Sequence, residues 1–532
     1  MHKQFFGKET WMWLLCGVVL YGIAPLAWWQ PLIAFIGIIL AGSVVYYLTY
    51  RNVVTGIALV LFELVIGGHG LLLHTDISIG ILTLRHAIFI GFFSAYFVRF
   101  LLKKERLRFG RIHITIGLFL LWLLIGFLVG GVQNGWGVSF DELNSYFYLT
   151  FLIPVLSRDW IGTEKRQILI AVFSGITFLA LITLLFAFSY NHLPGKFMHI
   201  PYTVYRDARV TEVSLQVIQA SPAGVVQHLM RPWLGLFPYW YRIFNTSHVY
   251  LFVGLCFYIA YALMHGLDRS VRRSWWSWVS LVGSAVAVSM SRSILLGLAV
   301  AIIVSGLSLL ILGKLQVRRW HEWLFGLCVA GCGAILVFVM MATFPVPHRP
   351  DLREAIFYET SANTTRQAAV ISRWTLLHEL VLEIKKAPIF GYGFGKSLTY
   401  QSSDPRILST SNGTYTTYRF EWGYFDLWLK LGVIGVMLYA YMLWRLFGER
   451  ITKIRGNSWL NWGALMSVLG LCVIHIFTPY LNHPLGIGVI ILATIILYDN
   501  RTEGYASTYN QKGNVIMTFP SVIPVSVSLE DR

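Results

Sequence analysis

Apolar runs long enough to cross about 30 Å of hydrocarbon recur through nearly the whole chain, and few folds accept such a sequence. They fall at about 11–29, 31–49, 53–73, 80–101, 112–132, 145–157, 167–188, 248–266, 275–290, 293–312, 323–343, 424–445, 458–478 and 484–498. Composition agrees: 56% of residues are hydrophobic, 13% are charged and the mean hydropathy is +0.63, beyond what a soluble domain tolerates. The fold class expected is all-α, a polytopic transmembrane helix bundle of about 12–14 spans. Trp11–Trp29 is read as the first span and not as a cleaved signal peptide, because a second apolar run follows at once. No repeat with a period of about 20 to 50 residues is visible, so residues 1–498 are expected to form one integral membrane domain. The tail 499–532 is polar and turn-rich, and is expected to be loosely ordered in the cytoplasm. All five cysteines lie inside apolar runs, which points to packing and not to disulfides or a Cys metal site.

Lys and Arg in the short loops set the orientation. Lys3 and Lys8, Arg51, Lys103 to Arg108, Arg158 to Arg166, Arg269 to Arg273, Arg318 with Arg319, and Arg450 to Arg455 fall in every second connection. That alternation places both termini in the cytoplasm and two long loops, 189–247 and 344–423, outside.

Those long loops are themselves basic. The second carries Arg366, Arg373, Lys385, Lys386, Lys396 and Arg419 among others, and the first carries Arg206, Arg209, Arg231 and Arg242. Cations on the outer face run against the charge rule, and guanidinium groups forking onto phosphate oxygens supply a reason: a lipid-linked pyrophosphate is the natural anion there. Taken singly, each of these residues reads first as a solvated loop charge or a headgroup contact.

Within the second loop the pattern predicts an amphipathic helix over 364–387, capped at Asn363 or Thr364 and stopped by Pro388. Its apolar stripe is Ile371, Trp374, Leu377, Val381 and Ile384. Arg366 and Arg373, seven apart, share a helix face displaced from that stripe. Glu379 and Glu383 are expected to pair with nearby lysines such as Lys385 and Lys386. The run Gly391 to Ser397 is not a P-loop, since position 390 is Phe and no buried strand precedes it; its glycines permit a tight bend after the helix. Glu421 then stands where polar loop becomes apolar helix, with Tyr424 just beyond. It reads either as a proton acceptor or as a salt-bridge partner of Arg419.

Three motifs in order give the chain a family resemblance. They are Ser289-Met290-Ser291-Arg292-Ser293 at a short turn, Arg373-Trp374 followed by Pro388 to Gly395, and Glu421-Trp422-Gly423-Tyr424-Phe425 leading to Leu431-Gly432-Val433-Ile434-Gly435. Over roughly 230–445 the chain resembles the O-antigen ligase/polymerase family of bacterial integral membrane proteins. The resemblance implies a GT-C-like fold in the cytoplasmic (inner) membrane and transfer of undecaprenyl-pyrophosphate-linked glycan on its outer face, to a glycan or lipid acceptor. It requires no cofactor and no metal, and involves membrane lipids but no nucleic acid. Carried over by position, Arg292 and Arg373 resemble the arginines that contact the donor pyrophosphate.

Where ligases of the family commonly carry His followed by Asn, this chain has Glu421 and Trp422. The departure favours a polymerase, or transfer to another acceptor, over a ligase acting on lipid A core. The catalytic set expected is Glu421, Arg373 and Arg292, with Arg366, Arg419, Arg242, Arg231 and Tyr424 binding substrate. Asp141, Glu142 and Asn144 read either as sugar contacts or as ordinary loop polarity. Ionisable residues within or near spans, Glu63, His69, Arg85, His86 and His475, suggest pairings such as Glu63 with Arg85. A flippase or exporter of lipid-linked oligosaccharide is the alternative; it predicts charges spread through the spans and a pseudo-repeat.

Overall fold

A computed structural model describes residues 7–77, 80–105, 107, 110–193, 195–217, 239–265, 269–311, 320–343, 362–403, 405–449 and 458–498. Arg231 and the tail 499–532 lie outside the described residues, and Arg366 is described as helical backbone alone.

Helices α1 (Lys8–Trp29), α2 (Pro31–Arg51) and α3 (Val53–Ile66) follow one another almost without linkers. Pro31 suits a first helical position, and Asn52 Oδ1 accepts the Val54 N–H at 2.9 Å, so each helix restarts at once. A hairpin of β1 (His74–Ile77) and β2 (Gly80–Thr83) leads into α4 (Leu84–Leu101), whose first turn is capped by the Thr83 hydroxyl. Next come α5 (Arg111–Asn134), α6 (Trp136–Tyr146), a 3-10 segment (Phe147–Phe151) and α7 (Leu152–Leu156).

The run expected as a span at 145–157 is therefore not a single helix. It belongs to a three-piece path whose ends lie at opposite ends of α5. Near one end Glu142 accepts from the Gly395 N–H, close to Asn134 and Phe394, and just past the other Arg158 pairs with Glu105. The path recrosses the bundle in pieces, and Pro154, which has no amide to donate, falls within its last turn.

The chain continues through α8 (Gly162–His192), α9 (Gly195–Asp207), the hairpin β3 (Glu212–Val217) with β4 (Tyr239–Phe244), α10 (Val249–His265), α11 (Arg269–Ser289), α12 (Arg292–Ile311) and α13 (Trp320–Thr343). The first long loop thus contains a helix and a hairpin. The described part of the second holds α14 (Ala362–Lys386), then β5 (Leu398–Gln401), α15 (Pro405–Ser411) and β6 (Thr414–Thr417). Three helices close the described chain: α16 (Gly423–Leu443) with a π turn at Trp444–Gly448, α17 (Trp459–His475) and α18 (Pro484–Leu497).

Among the described residues eight helical segments are long and apolar enough to cross a membrane, and four more are shorter apolar helices. This is a polytopic all-α membrane protein with minor two-stranded sheets. The most apolar stretch of Thr246–Met264 is 94% buried inside the bundle, whereas that of Pro31–Arg51 is only 22% buried. Helix α10 is therefore central, and α2 presents its side chains to lipid. The one pairing of opposite charges expected within the spans is present: Arg85 Nη2 lies 3.0 Å from Glu63 Oε1, with both side chains buried.

Helix α14 spans Ala362–Lys386, where an amphipathic helix over 364–387 was expected, and Asn363 and Thr364 belong to its backbone. Its buried column is Ser372, Leu376, Leu380 and Ile384, an i, i+4 ladder, while Ile371 and Trp374 from the expected stripe are exposed. The reason is the partner surface. Leu376, Leu380 and Ile384 pack with Leu398, Phe420, Trp422 and Leu429 into a small core separate from the bundle's own.

The joint between this loop and the bundle is made by main chain. At Gly432 helix α16 leaves helical geometry (φ 67°, ψ −179°), and residues 388–395 fill the gap. The Tyr392 and Gly393 N–H groups donate to the Leu429 and Lys430 carbonyls at 2.9 Å each, and the Val433 N–H donates to the Pro388 carbonyl at 2.9 Å. Trp122 Nε1 donates to the Leu431 carbonyl at 2.9 Å, and the Phe394 N–H donates to the Gly126 carbonyl of α5 at 3.0 Å. Irregular backbone at membrane depth survives only where protein answers its polar groups, and these bonds do so. Gly391, Gly393 and Gly395 all have positive φ (72°, 75° and 81°), as the expected tight bend requires.

Candidate active site

The segment Tyr418 to Trp422 leads into α16 with side chains that alternate in exposure. Phe420 and Trp422 are buried in the α14 core, which leaves Arg419 and Glu421 facing the other way. Glu421 forms an ion pair with Arg373 of α14, each side chain about half exposed (50% and 49%). Arg373 is held there by its own backbone, since Trp422 Nε1 donates to the Arg373 carbonyl at 2.9 Å and Trp374 packs on Trp422. The alternative pairing of Glu421 with Arg419 is not the one formed. Arg419 pairs instead with Asp141 of α6, which also accepts from the Tyr418 hydroxyl at 3.0 Å.

Arg292 opens α12 and is exposed, with its turn braced from two sides. Arg242 of β4 donates through Nε to the Ser289 carbonyl at 2.6 Å. The Ser293 hydroxyl lies 3.2 Å from that of Thr478, and neighbouring Phe477 stacks near Trp422 at 5.6 Å between ring centroids. Thr478 and Phe477 thus bridge the Arg292 turn to the segment that carries Glu421. The structure brings Arg373 and Glu421 into direct contact, and connects Arg292 and Arg242 to them through neighbouring residues. Tyr424 is partly exposed; its hydroxyl donates to the Cys472 carbonyl at 2.9 Å and its ring meets His475 edge-on.

The charges around Arg419 extend the polar surface. His69 and His483 meet edge-on at 5.3 Å between centroids. Burial, then the charges of Arg85, Arg209 and Arg419, push the His69 imidazole down to about 4, so it is neutral at physiological pH. Burial would lower the Arg419 guanidinium, but Asp141 and Tyr418 more than offset this, and it stays raised and charged. On α14, bonding to Lys386 first, and to Lys396 against partial burial, holds the Glu383 carboxyl down at about 2. Its partner Lys396 comes from the glycine bend, not from the adjacent lysine Lys385.

Sequence reasoning missed Lys430. Its ammonium is buried and paired with both Glu142 and Asp426, and it donates to the Tyr418 carbonyl at 2.9 Å. Asp426 also accepts from Asn482 Nδ2 at 2.6 Å. One cation thereby ties α6, the 418–422 segment and α16 together, and Glu142 is committed to that tie. The signal was available in the i, i+4 spacing of Asp426 and Lys430 inside an apolar run, where a charge survives only with a partner. Asn144, likewise, bonds His86 at 3.2 Å. Among the described residues no group of three or more His, Cys, Asp or Glu is placed to hold a metal ion.

Fold and site together define a multi-pass helical membrane protein with a paired arginine and carboxylate between its second long loop and its bundle. Residues 278–440 match the family described as O-antigen ligase, and all three motifs singled out above fall within that stretch. Over that stretch, just under a third of its length, the chain is similar to O-antigen ligases. No curated protein and no solved structure matches the chain significantly.

Proposed function

We propose that the protein is a glycosyltransferase of the cytoplasmic membrane, with its site facing outward, that joins undecaprenyl-pyrophosphate-linked glycan to a glycan acceptor, as a polymerase does. The contact between Arg373 and Glu421 carries the reading, because it puts a phosphate-binding cation beside a proton-accepting carboxylate. Arg292 and Arg373 hold the donor diphosphate. The acceptor hydroxyl oxygen attacks the anomeric carbon as the bond to the diphosphate oxygen breaks, Glu421 takes the hydroxyl proton, and the arginines stabilise the charge on the departing diphosphate. The leaving group is already activated, so this chemistry proceeds without nucleotide or divalent metal.

The test is transfer by the purified protein in proteoliposomes supplied with lipid-linked oligosaccharide. Arg373→Ala and Glu421→Gln are each expected to abolish transfer while the thermal unfolding profile is retained. Undiminished turnover in both removes the site.

A further inference from the structure

Arg373 and Glu421 have been given different tasks, one on the donor and one on the acceptor, yet they occupy each other. Arg373 meets Glu421 Oε2 through Nε, an N–H that a phosphate oxygen would also seek. A diphosphate reaching Arg373 must therefore exchange with Glu421 or crowd a second anion against it. Both side chains are about half exposed, so the exchange is inexpensive: pairs of this kind contribute at most about 1 kcal/mol. The backbone around them holds still during it, because the Arg373 carbonyl is fixed by Trp422 Nε1, and Trp422 is anchored in the α14 core. Only the side chains need to part.

We propose that the lipid diphosphate of the donor displaces Glu421 from Arg373, so that donor binding itself releases the carboxylate that receives the acceptor proton. The inference rests on the proposed function of this site and adds to it an order of events: donor first, acceptor second. Before the exchange the carboxylate is engaged by a cation. After it, the carboxylate is released to face the acceptor hydroxyl. Arg292, whose turn is braced by Arg242 and Thr478 and not by Glu421, can engage the donor before the exchange.

The experiment measures binding of undecaprenyl diphosphate to the full-length protein in nanodiscs. Glu421→Gln, with Glu421→Ala as a second variant, is expected to bind about three- to fivefold more tightly than the unaltered protein, since a competitor worth up to roughly 1 kcal/mol has gone. In an Arg373→Ala background the same substitutions are expected to change affinity by less than about 1.5-fold, because nothing is left to compete for. Unchanged or weaker binding by both Glu421 variants overturns the exchange. So does an equal gain in the Arg373→Ala background, which reports only a general loss of negative charge. The transfer assay separates this from the parent reading: full transfer by Glu421→Gln removes its role as base but leaves the binding result standing.

Discussion

Lys430 and Glu142, from helices far apart in sequence, meet in a buried ion pair, and Asp426 one turn back on α16 shares the same ammonium. Two carboxylates around one cation leave little tolerance for its loss. Lys430→Met is expected to lower the unfolding free energy by about 3–5 kcal/mol, the usual cost of stranding a buried charge. Adding Glu142→Gln and Asp426→Asn in the same chain should restore much of it. Thermal unfolding in detergent across the three proteins decides the matter; equal melting of Lys430→Met and the unaltered protein contradicts it.

Gly432 permits the break in α16. Its φ of 67° disfavours any side chain, and an added Cβ would stand 2.0 Å from the Ile389 carbonyl oxygen. Gly432→Ala is expected to cost both stability and transfer. Gly117→Ala, in the middle of α5 with nothing within 4 Å, is its control and should be neutral or slightly stabilising. Comparable melting temperatures for the two variants would show that the backbone at 432 is not strained.

Arg242 braces the turn that carries Arg292 through the Ser289 carbonyl. Its removal should raise the KM for lipid-linked donor about fivefold, the value of one hydrogen bond of roughly 1 kcal/mol, with a smaller effect on kcat. Steady-state transfer kinetics of Arg242→Ala give the split. A fall in kcat alone places Arg242 elsewhere in the mechanism.

Glu383 sets a pH dependence for the second long loop. Its folded carboxyl is depressed from 4.5 to about 2, so the stability it contributes is complete above pH 4.5 and is lost as pH falls toward 2. The protection factors of the α14 amides, with the intrinsic pH dependence of exchange divided out, are expected to fall over that window in the unaltered protein. In Glu383→Gln the same amides should exchange faster at neutral pH and respond less to acid.

How much of this was legible in the sequence differs from element to element. The spans were legible because hydrocarbon thickness translates directly into run length, and α14 because a Pro and three glycines stop it. The pair of Glu63 with Arg85 followed from the cost of charge in a span. The break at Gly432 was hidden, since Leu431 to Met437 is apolar without interruption and main-chain bonds from residues 388–395 leave no mark in side-chain identity. The partners of Glu142 and Arg419 lie hundreds of residues away, beyond any local pattern. The stripe of α14 was misplaced because Trp374 and Ile371 are as hydrophobic as the residues that are buried, and only the surface formed by Phe420 and Trp422 chooses between the two columns.

The filling of the α16 break by residues 388–395 also dictates a sequence of events at birth. The chain emerges amino end first, so the filler is made before the helix it completes. When the Gly432 region enters the bilayer, the vacant amide and carbonyl groups on either side of the kink meet a template that is already present. Transposing those two segments in chain order would send an open kink into lipid with nothing to close it.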